Sequence, residues 1–105
     1  MKTSLIAGGC AAVLLAGNAL AADAAKGKEN FEANCSVCHN ADSTEKKMGP
    51  GLKGLFKREK LVNGKAVSDA NVTALINEGG NGMPAFADQL TKAEKDDIVA
   101  YLKTL

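Results

Sequence analysis

Five consecutive residues, Cys35-Ser36-Val37-Cys38-His39, constrain this chain more than any other feature. A Cys-x-x-Cys pair has three chemical readings: a redox-active dithiol, half of a zinc site, or a point of covalent haem attachment. A structural zinc site needs four ligands. Beyond the N-terminal segment the chain offers only Cys35, Cys38 and His39, and no second Cys/His pair follows. The thioredoxin-like reading expects a βαβ context, which this sequence lacks. His39 directly after Cys38 selects haem attachment. Thiols at this spacing reach two vinyl groups on one porphyrin edge, and the next residue aims its imidazole at the iron. The expected cofactor is one haem c, covalently bound through Cys35 and Cys38, with His39 as an iron ligand.

The chain has 105 residues, which bounds it to one domain. Its first residues read as a signal peptide: Lys2, an apolar run from Leu5 to Leu15, then Ala19-Leu20-Ala21 as the cleavage signal. The rival is an uncleaved anchor, since Thr3 to Ala22 carries no charge. Its glycines, Asn18 and the Ala-x-Ala favour cleavage after Ala21. Cys10 lacks the preceding leucine of a lipoprotein signal and is read as part of the leader. The expected organisation is a cleaved signal peptide over residues 1–21 and one domain over residues 22–105.

A domain that short has trouble building a sufficient core. The chain has three Phe, one Tyr and no Trp. A Cys35–Cys38 disulfide would close almost no loop and stabilise little. A haem, large, flat and mostly apolar, supplies the missing buried mass.

Helical patterning occurs three times. Over about Ala24 to Asn34, Gly27, Phe31 and Cys35 fall four apart on one face, so this helix leads into the cysteine motif. Over about Asp69 to Glu78, Ser68 is the N-cap, Val72, Leu75 and Ile76 form the apolar stripe, and Gly79-Gly80 stops the helix. Over about Lys92 to Thr104, Thr91 and Glu94 make a capping box. Ile98, Tyr101, Leu102 and Leu105 form its buried stripe, with Asp96 and Asp97 on or near the exposed side. Gly/Pro-rich loops separate these segments, and no run alternates as a strand would. The expected class is all-α, with three main helices and long loops wrapped around one covalently bound haem.

His39 is the only histidine, so the chain cannot supply two imidazoles to the iron. Met1 leaves with the leader. Met48 is read as core filler. Met83, in Gly82-Met83-Pro84 between two helices, is the expected second iron ligand.

Lys and Arg total 13 and Asp and Glu 12, a balance that argues against nucleic acid as partner. Charge is nonetheless uneven. Ser43 to Lys65 holds seven basic and two acidic residues, and Ala66 to Leu105 three basic and six acidic. Two readings stand: a dipole that steers a charged protein partner, or an ordinary solvated surface.

Cys35-Ser36-Val37-Cys38-His39, Gly49-Pro50-Gly51-Leu52-Lys53-Gly54-Leu55-Phe56, Gly82-Met83-Pro84-Ala85-Phe86 and Ile98-Val99-Ala100-Tyr101-Leu102 together resemble class I cytochrome c, in its small bacterial monohaem form. The resemblance covers residues 24–105. It implies that the Pro50 carbonyl accepts from the His39 ring, that Leu52 and Ile76 pack on the haem, and that Gly27 and Phe31 meet Ile98, Tyr101 and Leu102 at a helix crossing. Arg58 stands where the family often places a propionate partner, or is one more surface cation. With no Trp available, Lys53, Lys57 and Asn63 are further candidates for the propionates. The implied function is that of a soluble periplasmic carrier of single electrons, not an enzyme. It would be a monomer without stable membrane insertion after cleavage, with a redox donor and acceptor docking at the exposed haem edge.

Overall fold

The computed structural model describes residues 21–105. The expected leader lies outside the described residues, apart from Ala21. Among the described residues, three α-helices carry the fold: α1 (Ala24–Asn34), α2 (Asp69–Glu78) and α3 (Lys92–Leu102). No strand forms among the described residues. Isolated bridges, His39 with Lys46, Lys60 with Ala66 and Gly80 with Met83, tie the loops instead.

Local chemistry sets where each helix begins. Asp23 is extended, and its Oδ1 accepts from the N–H groups of Ala25 and Lys26 at 2.9 and 3.2 Å. Ser68 Oγ accepts from the Asn71 N–H at 3.1 Å. At α3 the capping box is reciprocal: Glu94 N–H donates to Thr91 Oγ1 at 3.1 Å, and Thr91 N–H to Glu94 Oε1 at 2.8 Å. Helix α2 stops at Gly79, which has a positive φ of 64°. Helix α3 ends at Leu102, two residues earlier than its pattern predicts. The Thr104 hydroxyl donates to the Tyr101 carbonyl at 2.6 Å there, the local competition with helical bonding that Thr favours at helix ends.

Helices α1 and α3 cross closely, with the Phe31 and Tyr101 rings 5.5 Å apart and tilted by 58°. Gly27 sits at the crossing, where a Cβ would overlap the Asp97 carbonyl and lie 2.9 Å from Tyr101 Cβ. Asp97 is also less exposed in role than its place on α3 predicts, because its carboxylate accepts the Asp23 N–H at 2.7 Å. Gly27→Ala therefore sets two effects against each other. Helix propensity favours Ala by about 1 kcal/mol, while forced separation of packed helices costs roughly 1–3 kcal/mol. The expected result is a lower denaturant midpoint for the holoprotein. An unchanged or higher midpoint would mean that the crossing does not need the missing side chain.

Eleven apolar residues are buried among those described: Phe31, Ile98, Val99 and Leu102 from α1 and α3, Val72 and Ile76 from α2, and five from the loops. Val99 joins the expected stripe, so α3 buries a wider face than its pattern implied. The loop contribution includes Leu55, which opens a 3-10 turn (Leu55–Lys57) after Gly54.

Candidate haem site

Beyond α1 the chain keeps turning rather than extending. The Cys35 N–H donates to the Phe31 carbonyl, and the Cys38 and His39 N–H groups both donate to the Cys35 carbonyl, at 3.1 and 3.0 Å. This tight turn places Cys35, Cys38 and His39 together on the wall of a cavity of about 640 Å³. Both thiols are free and partly buried. Burial, and secondarily the neighbouring Cys38, pushes the Cys35 thiol up to about 11, so it stays protonated at neutral pH. An S–H that adds across a vinyl group delivers both its sulfur and its hydrogen, leaving a thioether.

The loop at residues 47–52 is pinned beneath the motif. The Gly49 N–H donates to the Cys38 carbonyl and the Leu52 N–H to the Asn40 carbonyl, each at 2.8 Å. The Pro50 carbonyl is thereby brought to 2.8 Å from His39 Nδ1. A carbonyl can only accept, so Nδ1 carries the proton, and Nε2 keeps its lone pair for a metal. Gly49 is what allows this placement: a Cβ there would come within 2.5 Å of His39 Cε1. The sequence singles out Gly49-Pro50 without revealing that Gly49 bounds the imidazole itself.

Met83 lines the same cavity from the loop between α2 and α3. It follows a tight turn in which Gly80 and Met83 exchange both backbone hydrogen bonds, at 2.9 and 3.0 Å. Asn81 and Gly82 both have positive φ, 53° and 91°, the conformation that an Asn-Gly pair favours between two paired residues. Leu52 and Ile76 also line the cavity.

Met48 is not core. It is 78% exposed and lies with its sulfur 3.9 Å from Cys38 Sγ, at the cavity rim. The expectation of a core filler fails because the backbone bonds of the 47–52 loop hold this residue outside the helix crossing. Arg58 lines the cavity, and one guanidinium nitrogen donates to the Gly51 and Lys53 carbonyls at 2.9 and 2.8 Å. Among the propionate candidates, Asn63 lines the cavity and Lys53 and Lys57 do not. Lys60 and Lys65, not singled out from the sequence, do.

The residues present fit a covalent haem: a mostly apolar space of ligand size, two free thiols and a metal-ready imidazole on one wall. Fold and site together define a small all-α protein built around a haem attached through two thioethers.

Comparison with known proteins agrees. The family described as "Cytochrome C oxidase, cbb3-type, subunit III" matches residues 22–102. The chain is 36% identical over 88 residues to cytochrome c6 of Synechocystis sp., covering 84% of this chain and 70% of that protein. It is 38% identical over 91 residues to cytochrome c6 of Rippkaea orientalis, covering 87% and 78%. The crystal structure of cytochrome c6 from the diatom Phaeodactylum tricornutum superposes with a TM-score of 0.62 at 26% identity, covering 78% of this chain and 92% of that one. The chain belongs to the cytochrome c family, among its small monohaem class I members. It is an electron carrier rather than an enzyme, and its cofactor is one haem c held by Cys35 and Cys38.

Proposed function

We propose that this protein shuttles single electrons between exported or membrane redox partners, through a haem ligated by His39 and Met83. The observation that carries the reading is that the only histidine and Met83 line one cavity. The haem supplies a one-electron ferric/ferrous couple. The chain's own residues do the rest. Pro50 fixes the His39 tautomer and orientation through the 2.8 Å bond. The Asn81-Gly82 turn sets the Met83 thioether on the cavity wall, and a thioether ligand with a mostly buried ring favours the ferrous state. With His39 and Met83 both holding the iron, no site would remain for substrate, and its charge would change by one with little ligand rearrangement.

The domain comprises residues 22–105 and works in the periplasm as a monomer after cleavage following Ala21. No helix among the described residues is long and apolar enough to cross a membrane. Partners dock weakly at the haem edge near Cys35 and Cys38, which suits quick release. The basic segment from Lys46 to Lys65 orients them, so electron exchange with an acidic partner should slow as salt rises.

Two measurements test the proposal. The oxidised holoprotein should show a sulfur-to-iron charge-transfer band, and a high-spin spectrum would overturn His/Met ligation. Intact mass of the exported protein should equal residues 22–105 plus one haem. A mass that retains the leader would replace the free shuttle with an anchored one.

A further inference from the structure

Five cations among the described residues already have polar partners. Lys92 pairs with Asp96 at 2.7 Å and Lys103 with Asp69 at 2.6 Å. Lys95 donates to Asn77 Oδ1 at 2.7 Å and Lys47 to the Ser36 carbonyl at 2.9 Å. One guanidinium nitrogen of Arg58 donates to two carbonyls. Lys60 and Lys65, like Lys46, line the haem cavity and pair with no carboxylate among the described residues.

These two lysines stand on the arms of one hairpin. Lys60 bridges to Ala66, and the Leu61 N–H donates to the Lys65 carbonyl at 2.8 Å. Leu61 is buried and anchors the hairpin in the core. Asn63, at the turn, also lines the cavity. Its Oδ1 accepts the Lys65 N–H at 3.1 Å, which leaves its amide N–H groups to donate elsewhere.

The cavity wall carries Lys46, Arg58, Lys60 and Lys65 against a single carboxylate, Glu78. An apolar space with that balance suits an apolar occupant that is negative at one end. Haem is such a molecule, with two propionates on the edge away from its vinyl groups. Cys35 and Cys38 take the vinyl edge. Lys46, bridged to His39, belongs with that segment. The 60–66 hairpin, beside Arg58, is the cationic wall that remains for the other edge.

We propose that the hairpin at residues 60–66 clamps the haem propionates, Lys60 and Lys65 supplying charge and Asn63 a neutral donor. The inference rests on the haem reading above. Lys53 and Lys57 belong to the same basic segment but do not line the cavity, and they take no part. Lys60 and Lys65 are positioning residues. Ammonium groups beside the propionates disfavour the additional positive charge of ferric iron and keep the carboxylates ionised to lower pH.

The test is potentiometric titration of the holoprotein across the neutral pH range. Lys60→Gln/Lys65→Gln is compared with Lys53→Gln/Lys57→Gln, which removes the same formal charge from the same segment. The first pair should lower the midpoint potential and move its pH inflection upward. The control pair should leave the inflection in place, and Lys60→Arg/Lys65→Arg should restore the wild-type profile. The two single Gln variants read the same profile if the double variant loads haem poorly. A Lys60→Gln/Lys65→Gln profile that superimposes on wild type, or a control pair that moves the inflection equally, overturns the clamp. Covalent haem in every variant, seen by mass, keeps such a failure separate from failure of the haem reading, which wild type lacking haem would show.

Discussion

Met83→Ala is expected to abolish the sulfur-to-iron charge-transfer band, turn the ferric spectrum high-spin and lower the midpoint potential. Met83 lines the cavity and packs against the buried cluster while remaining partly exposed. Alanine keeps the backbone, so the Gly80–Met83 turn survives and the thioether alone is lost. Axial ligation spans about 0.8 V among haem proteins. A fall larger than the ~59 mV that corresponds to a tenfold change in a one-electron equilibrium is therefore expected. Optical spectroscopy with redox titration reads both effects. If the band persists in the variant, another group holds the sixth position, and the closed-site argument for a carrier loses its basis in this residue. His39 offers a contrast, because its replacement removes the only imidazole in the chain and should weaken ligation from the other direction.

Removing the haem altogether should have the largest effect on stability. Cys35→Ser/Cys38→Ser eliminates both thioethers, so the intact mass should fall by the haem along with the two sulfur-to-oxygen changes. Made without haem, this variant should lose most helical signal and show no cooperative unfolding transition. The reason is one of scale. Without the haem, the apolar residues lining a cavity of about 640 Å³ lose their packing partner and face water. The whole stability of an ordinary domain is about 5–15 kcal/mol. With eleven buried apolar residues among the described ones, the protein core alone is expected to fall short of that margin, leaving the chain unfolded or differently collapsed. A cooperative transition near the wild-type midpoint in the haem-free variant would show that the protein core suffices alone.

Much of the frame was legible because it rests on short-range chemistry. Ser68 and the Thr91–Glu94 box place two helix starts to the residue, since a cap acts on N–H groups two or three positions away. Gly79 ends α2 for an equally local reason. Asp23 caps α1 in the same local way, and an Asp just before the first helical residue is a readable signal. The end of α3 was misplaced by two residues because a stripe continues through Leu105 while Thr104 bonds back to Tyr101. Met48 was misassigned for a different reason. Hydropathy marks it as apolar, but the bonds from Gly49 to Cys38 and Leu52 to Asn40 decide that its loop lies at the rim.

The same division runs through the site. Cys35-x-x-Cys38-His39 by itself determined the cofactor and how it is held, because two thiols and an imidazole at that spacing admit one chemistry once zinc and dithiol partners are missing. The single histidine likewise determined that any second protein ligand must be of another type. Which groups line the cavity is set by tertiary contacts alone. They put Lys60 and Lys65 on the cavity wall and left Lys53 and Lys57 off it, although all four belong to one basic run. They set Gly49 against the His39 ring and drew Asp97 to the N-terminus of α1. These contacts join residues that are distant in sequence or turned by a loop, and nothing in spacing or composition encodes the direction in which a loop turns.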